Sequence, residues 1–306
     1  MLKMKLYIIG NGFDLNHGMK TSYSHYKEFL INNYSKIARG YESFNYLSLE
    51  KPNDSKWADI EAALSIDYNA LMDDALYGYP SYENDSDSKW DDIKIDLEEE
   101  TEFISSFTGE CFGDWLCGFM TIEAKRKFAL DERDFYLTFN YTDTLEQVYG
   151  IPSEHILHIH GQFSRIKNVY NNPMARKEIQ FGTPHLNSEE VYNELENRYG
   201  RDDFFSVSIE PGIIDICKFI EKSSKSLQGN YEKLNSFLCE KELTEVIVMG
   251  HSLNSADYAY YSDILLPKLR DKIWIFYMRD GDASTKADID EFILKSNILN
   301  HKIEIW

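Results

Sequence analysis

The chain has 306 residues, of which 43% are hydrophobic and 14% aromatic, so it can bury a large core and is not globally disordered. Its 32 Lys and Arg residues stand against 52 Asp and Glu residues, and the net charge of −20 argues against a broad surface for the phosphate backbone of nucleic acid. The sequence has no apolar run of the roughly 18 residues that a membrane helix requires and no secretion signal, so we expect a cytoplasmic protein.

The first predicted element is a buried strand that ends in a glycine turn. Residues 6–9 are a continuous apolar run, and Gly10, Asn11 and Gly12 follow it directly. Glycine lets a backbone approach a pyrophosphate closely, and the N–H groups of a following helix can bind it. The G-x-G-x-x-G fingerprint is incomplete, so an ordinary strand-to-helix turn stays open as the alternative. Helical spacing predicts the next element over residues 23–34.

Residues 35–128 differ in composition from the rest and predict a helical insertion. Apolar residues recur there at helical spacing, and strand-like runs are sparse. Between Glu83 and Glu102, ten acidic residues stand against Lys89 and Lys94, which indicates a solvated acidic face. Residues 1–34 and 129–306 then form the core.

From residue 131 onward, strands and helices alternate. This alternation predicts an α/β, Rossmann-like fold, with a mostly parallel sheet that helices cover on both faces. The predicted strands span residues 135–139, 155–159, 179–181, 245–249, 273–277 and 302–306, and the predicted helices span residues 142–149, 256–269 and 288–294.

Glycine or a short polar residue follows most of these strands. Asn140 ends the strand at 135–139, His160 and Gly161 end the next one, and Gly182 follows the weak strand at 179–181. Gly250, His251 and Ser252 follow the strand at 245–249. Because parallel strands place their carboxyl ends at one edge of a sheet, we expect these residues to share one crevice.

Asn140 and His160 are the candidates for chemistry in that crevice. The Asn140 amide could orient a water or a ribose hydroxyl, although Asn140 or Thr142 could instead cap a helix that has Asp143 in its first turn. A neutral His160 imidazole could accept a proton from a ribose hydroxyl, although a lone histidine is more often structural. His158 should point to the same face as His160, and we expect no metal because no third ligand is evident.

Three other features have weaker interpretations. Ser252 lies in Gly-His-Ser-Leu-Asn, which is not G-x-S-x-G, so we disfavour a nucleophilic serine. Asp257 either caps a helix or faces the crevice. Residues 162–177 carry four basic and no acidic residues, and they complement an anionic ligand or form a solvated loop.

Five motifs in order along the chain form a recognisable set. They are Gly10-Asn11-Gly12-Phe13-Asp14-Leu15 with Gly18, Thr21 and Tyr23; Trp57-x-Asp59-x-Glu61; Phe139-Asn140-Tyr141-Thr142-Asp143-Thr144-Leu145-Glu146; His158-Ile159-His160-Gly161; and Gly250-His251-Ser252-Leu253. This set resembles the bacteriophage abortive infection protein AbiH, over almost the whole chain.

A more distant resemblance is to sirtuin-like NAD-binding proteins. Their Gly-Ala-Gly turn, strand-end Asn, His-Gly, Phe-Gly and Gly-x-Ser-Leu steps correspond here to Gly10-Asn11-Gly12, Asn140, His160-Gly161, Phe181-Gly182 and Gly250-His251-Ser252-Leu253. Asn11 replaces the Ala, Asp143 lies one residue late, and the paired CxxC zinc ribbon is absent. The resemblance therefore implies an NAD pocket without protein deacetylation.

These resemblances imply an antiviral NAD⁺ glycohydrolase that releases nicotinamide and ADP-ribose, with NAD⁺ as substrate or ligand and no further cofactor. His160, Asn140 and Asp143 would be catalytic, and Asp14 or Asp143 would stabilise the cationic ribose. The nucleotide-binding residues would be Gly10, Asn11, Gly12, Phe13, Asp14, Thr21, Gly161, Gly250, His251 and Ser252.

Two other functions remain open. One is a module that senses NAD or ADP-ribose without turnover, and the other, less favoured because no carboxylate–metal cluster is evident, is a nuclease or another toxin. The expected partner is a small-molecule nucleotide, with no membrane and no direct nucleic-acid contact; a homo-oligomer is left open.

Overall fold

The structure is a computed structural model that describes residues 4–43, 60, 67–77, 103, 106–118, 124–163, 179–182, 187–200, 209–223, 227–239, 241–253 and 257–306. The contacts divide the chain into two compact units. The first consists of Met1–Ser22, Leu116–Gln180 and Ser226–Trp306, and the second of Tyr23–Trp115 and Phe181–Lys225. The insertion at 35–128 was predicted from composition and stays a prediction.

A six-stranded parallel sheet forms the centre of the first unit. Its strand order is β3-β2-β1-β4-β5-β6, and all five neighbouring pairs are parallel. The predicted α/β, Rossmann-like fold is confirmed, since this is the strand order of dinucleotide-binding Rossmann sheets. The strands are β1 Met4–Ile9, β2 Phe135–Thr138, β3 Ile156–His158, β4 Leu243–Met249, β5 Ile273–Met278 and β6 His301–Ile305.

Apolar layers cover both faces of the central strand β1. Leu6 and Ile8 are fully buried in a cluster that includes Trp274 and Phe276 of β5 and extends to Phe292. Tyr7 and Ile9 lie in a second cluster with Phe13, Tyr136 and Met249. Because successive side chains of a strand point to opposite faces, burial on both sides explains the continuous apolar run at residues 6–9.

The predicted strand at residues 179–181 is wrong, because Ile179, Gln180 and Phe181 are irregular. Isolated hydrogen bonds hold this segment in place of a sheet ladder. The Gln180 N–H donates to the His160 carbonyl oxygen at 2.8 Å, and the Gln180 carbonyl oxygen accepts from the Tyr141 hydroxyl at 2.8 Å. Ile and Phe favour strands, but three residues do not override such contacts with distant parts of the chain.

The described α-helices belong to both units. Their bounds are Asn11–Asn16, Tyr23–Asn33, Ser35–Ser43, Tyr68–Tyr77, Cys111–Gly118, Thr144–Tyr149, Ser188–Tyr199, Glu210–Ser223, Leu227–Leu238, Tyr258–Tyr260, Leu266–Leu269 and Ala283–Ser296. A 3₁₀ turn spans Ser153–His155, and π-helical turns span Ser106–Glu110 and Tyr261–Leu265. The helix predicted over residues 256–269 is therefore interrupted by a π-helical turn.

Helix ends follow local sequence rules. Gly150 takes the left-handed conformation (φ 72°) directly after the helix Thr144–Tyr149, which is the usual place for glycine. Asp282 accepts from the Thr285 N–H at 3.0 Å and so caps the last helix, which ends at Asn297 with φ 52°. These caps extend the predicted helix at 288–294 to Ala283–Ser296.

Several predictions fall outside the described residues. They concern Trp57, Asp59, Glu61, the acidic stretch at 83–102, and the basic residues Arg165, Lys167, Arg176 and Lys177. Within the described part of the chain, no helix has the length and apolar character needed to cross a membrane.

Candidate functional site

The sheet reverses its strand order between β1 and β4. In open parallel sheets, ligands bind outside the carboxyl ends of the strands at such a switch point. Gly10 follows β1, and Gly250 follows β4. Asn140 and His160 follow β2 and β3, the next two strands on the same side. The structure thus brings four of the five expected strand ends to one edge of the sheet, and the fifth, at Gly182, follows no strand.

The two glycine turns at the switch point pack backbone against backbone. A Cβ atom on Gly10 would lie 2.5 Å from the His251 Cα, and one on Gly12 would lie 2.8 Å from the Gly250 Cα. The Gly12 N–H donates to the Gly250 carbonyl oxygen at 2.8 Å, and the Phe13 N–H donates to the Gly10 carbonyl oxygen at 3.0 Å. These N–H groups bond within the protein, so a pyrophosphate at this turn would need other donors.

Asn140 ties the end of β2 to the end of β1. It is 7% exposed, and its Nδ2 donates to the Gly10 carbonyl oxygen at 3.0 Å. The alternative that Asn140 or Thr142 caps the next helix is not observed, because Asp143 occupies the N-cap position. A buried carboxamide between two strand ends is held in one orientation.

Asp14 is a buried carboxyl group beneath this edge. It is 1% exposed and accepts from the hydroxyls of Thr142 at 2.5 Å and Thr144 at 2.8 Å. Burial raises its pKa from 3.8 to about 6, and the nearby Asp143 carboxylate acts in the same direction. The two threonine hydrogen bonds act against this rise. Asp14 therefore changes charge close to neutral pH.

His158 has a polar partner on each side of its ring. Its Nδ1 lies 3.1 Å from the Asn140 carbonyl oxygen, and its Nε2 lies 2.9 Å from Glu146 Oε1. Gln162 also donates to Glu146 Oε1, at 2.7 Å. These contacts fix His158 in place.

His160 belongs to a buried cluster of two imidazoles and a carboxylate. His160 Nε2 lies 3.6 Å from Asp257 Oδ1, and His251 Nε2 lies 3.4 Å from Asp257 Oδ2. The Phe139 ring packs edge-on against both imidazoles, with centroid distances of 5.4 and 4.3 Å. The sequence left the position of Asp257 open, and the fold shows that this residue faces two histidines.

The remaining predicted residues differ in exposure and contacts. Asn11 is exposed, and its Nδ2 donates to the Thr21 carbonyl oxygen at 2.9 Å. Gly161 has φ 85°, and Ser252 is exposed. Phe181 and Gly182, which the sirtuin-like comparison aligned with the pocket, belong to the second unit.

A cavity of about 280 Å³ lies in the second unit, and no predicted site residue lines it. It is lined by Ser188, Glu189, Tyr192, Ile214, Cys217, Lys218 and Glu221. The strand-end cluster is the stronger candidate for a functional site than this cavity, because it joins histidine, carboxylate and amide groups at a switch point. No group of three or more His, Cys, Asp or Glu residues is arranged for a metal ion within the described ranges.

Comparison with known proteins gave one family. The model of the family described as "Bacteriophage abortive infection AbiH" matches residues 6–278, from β1 through the end of β5. A search of curated proteins and a search of solved structures each returned no significant match.

Proposed function

Because this chain belongs to the bacteriophage abortive infection AbiH family, we propose that it acts against phage by hydrolysing NAD⁺ to nicotinamide and ADP-ribose. Family membership supports the anti-phage role. The proposed reaction rests on the arrangement of residues in the candidate site.

One observation carries the proposal. A sheet with dinucleotide-binding strand order aligns Asn140, His160 and the two glycine turns along one edge, at its switch point. Asn140 Nδ2 bonds to Gly10, so Asn140 Oδ1 is the atom that would accept from a water or a ribose hydroxyl. An amide oxygen and an imidazole can each hydrogen-bond to a ribose hydroxyl.

The proposed chemistry follows from the charges near this edge. Cleavage of the glycosidic bond leaves a cationic ribose, which buried carboxylates stabilise more strongly than solvated ones. Asp14 and Asp143 are the nearby carboxyls, each less than 5% exposed. His160 would accept the proton of the attacking water. Since His160 is only 2% exposed, neighbouring side chains must move before its ring meets substrate.

Burial of the candidate residues favours the second function, nucleotide sensing without turnover. Asn140 and His160 are both at least nine-tenths buried, as structural residues are. A sensing module needs the switch-point edge but no exposed base. Binding and turnover must therefore be measured separately.

The test is incubation of the purified chain with NAD⁺, with chromatography for nicotinamide and calorimetry for binding. We expect equal amounts of nicotinamide and ADP-ribose, and a fall in turnover of about 10²–10⁴-fold in His160→Ala. Asn140→Ala should also lower turnover. His301→Ala changes an exposed histidine at the start of β6 and should retain full activity.

Two results would contradict the proposed reaction, and a third would contradict the role of His160. Binding of NAD⁺ without nicotinamide release would support the sensing module. Neither binding nor release would exclude both functions. Full activity in His160→Ala would remove His160 as the base while leaving hydrolysis in place. Thermal melting of each variant separates lost chemistry from lost folding.

A further inference from the structure

Asp257 lies between two histidines in the interior of the first unit. Exposed fractions are 2% for His160, 7% for Asp257 and 9% for His251. The two Nε2–carboxylate distances, 3.6 and 3.4 Å, are close enough for a strong electrostatic interaction and slightly too long for hydrogen bonds. Such contacts are often long in ligand-free enzymes and shorten when substrate binds.

The backbone determines which nitrogen of His251 carries the proton. The Leu253 N–H donates to His251 Nδ1 at 3.1 Å, so Nδ1 must supply a lone pair. The proton of neutral His251 then lies on Nε2, the nitrogen that faces Asp257 Oδ2. His251 thereby stabilises the carboxylate and helps hold its orientation.

The same carboxylate determines the protonation of His160. If Nε2 of His160 carried a lone pair, that lone pair would face Asp257 Oδ1 and repel it. Aromatic rings pack against this cluster: Phe139 and Tyr260 contact His160, and Phe139 and Tyr261 contact His251. They exclude water and so strengthen the repulsion. The pKa of Tyr261 is raised well above 10 by burial and by Asp257, so its hydroxyl stays neutral.

We infer that Asp257 is a positioning residue that holds the proton of His160 on Nε2, so that the base of the reaction is His160 Nδ1. This inference rests on the proposed function. Nδ1 takes one proton from the attacking water, whose oxygen bonds to C1′ of the ribose. The electron pair of the broken C1′–N bond leaves with neutral nicotinamide. Asp257 stabilises the imidazolium that forms, without taking its proton.

The experiment is ¹⁵N NMR of the full chain with labelled histidine, near pH 8. His160→Gln and His251→Gln assign the ring signals. We expect His160 and His251 to carry their protons on Nε2. In Asp257→Asn, the amide can donate to Nε2, so the His160 proton should move to Nδ1. Turnover of NAD⁺ should then fall by about 10²–10⁴-fold, with KM little changed.

Asp263→Asn is the matched control. Asp263 is exposed, lies six residues along the same helical segment, and accepts from the Tyr231 hydroxyl at 2.7 Å. It should alter neither the His160 signals nor turnover.

A wild-type spectrum with the His160 proton on Nδ1 would overturn the inference without any variant at position 257. An Asp257→Asn protein with wild-type signals and wild-type turnover would overturn it as well. If the signals behave as expected but no NAD⁺ is cleaved, the positioning by Asp257 stands and the proposed reaction is wrong.

Discussion

Gly250 is required by both its backbone angle and its surroundings. Its φ of 67° lies in the left-handed region, which costs other residues about 1–2 kcal/mol. A Cβ atom there would lie 2.2 Å from the Phe13 nitrogen. Because the neighbour is backbone, it cannot move aside as a flexible side chain would.

Gly250→Ala should therefore lower the free energy of unfolding by about 3 kcal/mol or more, through strain and overlap together. The control is Gly281→Ala, where φ is 72° but no atom lies within 4 Å of an added Cβ. It should cost only the backbone term of about 1–2 kcal/mol. Equal losses in denaturant unfolding would show that the contact between the two turns is unimportant.

The buried carboxyl group of Asp14 makes the free energy of unfolding depend on pH. Its pKa is about 6 in the folded chain and close to 3.8 when unfolded, so between these values only the folded state keeps the proton. The stability that this proton supplies is complete below pH 3.8 and is lost as pH rises through about 6. The change amounts to about 3 kcal/mol.

Asp14→Asn should remove this dependence, because an amide does not titrate. The unfolding free energy of the wild type minus that of the variant should fall between pH 4 and pH 7, as measured with urea. Asp280→Asn alters an exposed carboxylate and should give a difference that is constant with pH. A constant difference for Asp14→Asn too would contradict the raised pKa.

At the scale of elements, Asn230 connects the helix Leu227–Leu238 to its neighbours. It is fully buried, and its Nδ2 donates to the Tyr260 hydroxyl at 2.9 Å and to Gln180 Oε1 at 2.8 Å. Gln180 Nε2 donates back to Asn230 Oδ1 at 3.2 Å. Since Gln180 also bonds to the His160 carbonyl oxygen, one amide links a helix to the site.

Asn230→Ala should lower the free energy of unfolding by about 3 kcal/mol, because it leaves the buried Tyr260 hydroxyl and the partly buried Gln180 amide without this partner. Ser236→Ala, at an exposed position of the same helix, should change it by less than about 0.5 kcal/mol. Double-mutant cycles with Tyr260→Phe should show coupling. If the losses of the two single variants simply add up to the loss of the double variant, the hydrogen bond between Asn230 and Tyr260 contributes little.

Elements with a strong local pattern could be predicted from sequence, and those held by distant contacts could not. The apolar run at 6–9 identified β1, and the strand at 245–249 was equally clear. By contrast, residues 179–181 have a strand-like sequence but form no strand. The partners that hold Gln180 instead are His160, Tyr141 and Asn230, which lie elsewhere in the chain.

At the scale of the whole molecule, parallel topology explains why residues that share one edge of the sheet could be predicted. A strand end identifies an edge of the sheet, so the common edge of Gly10, Asn140, His160 and Gly250 was predicted from the sequence. For Asp257 the sequence left a helix cap and the crevice both open, because an acidic residue eight positions beyond β4 has no local pattern that points to two histidines. Glycine spacing likewise could not show that Gly12 and Gly250 contact each other.

The central position of β1 also affects how the chain folds while it is being synthesised. On one side β1 pairs with β2. On its other side β1 pairs with β4, where Met4 lies opposite Leu243, more than two hundred residues later in the chain. At about 5–20 residues per second, a ribosome needs roughly 10–50 s to supply that second neighbour. Once β2 has been made and has paired with β1, the nascent sheet has an open edge at β1, so newly made chains should depend on chaperones until β4 emerges.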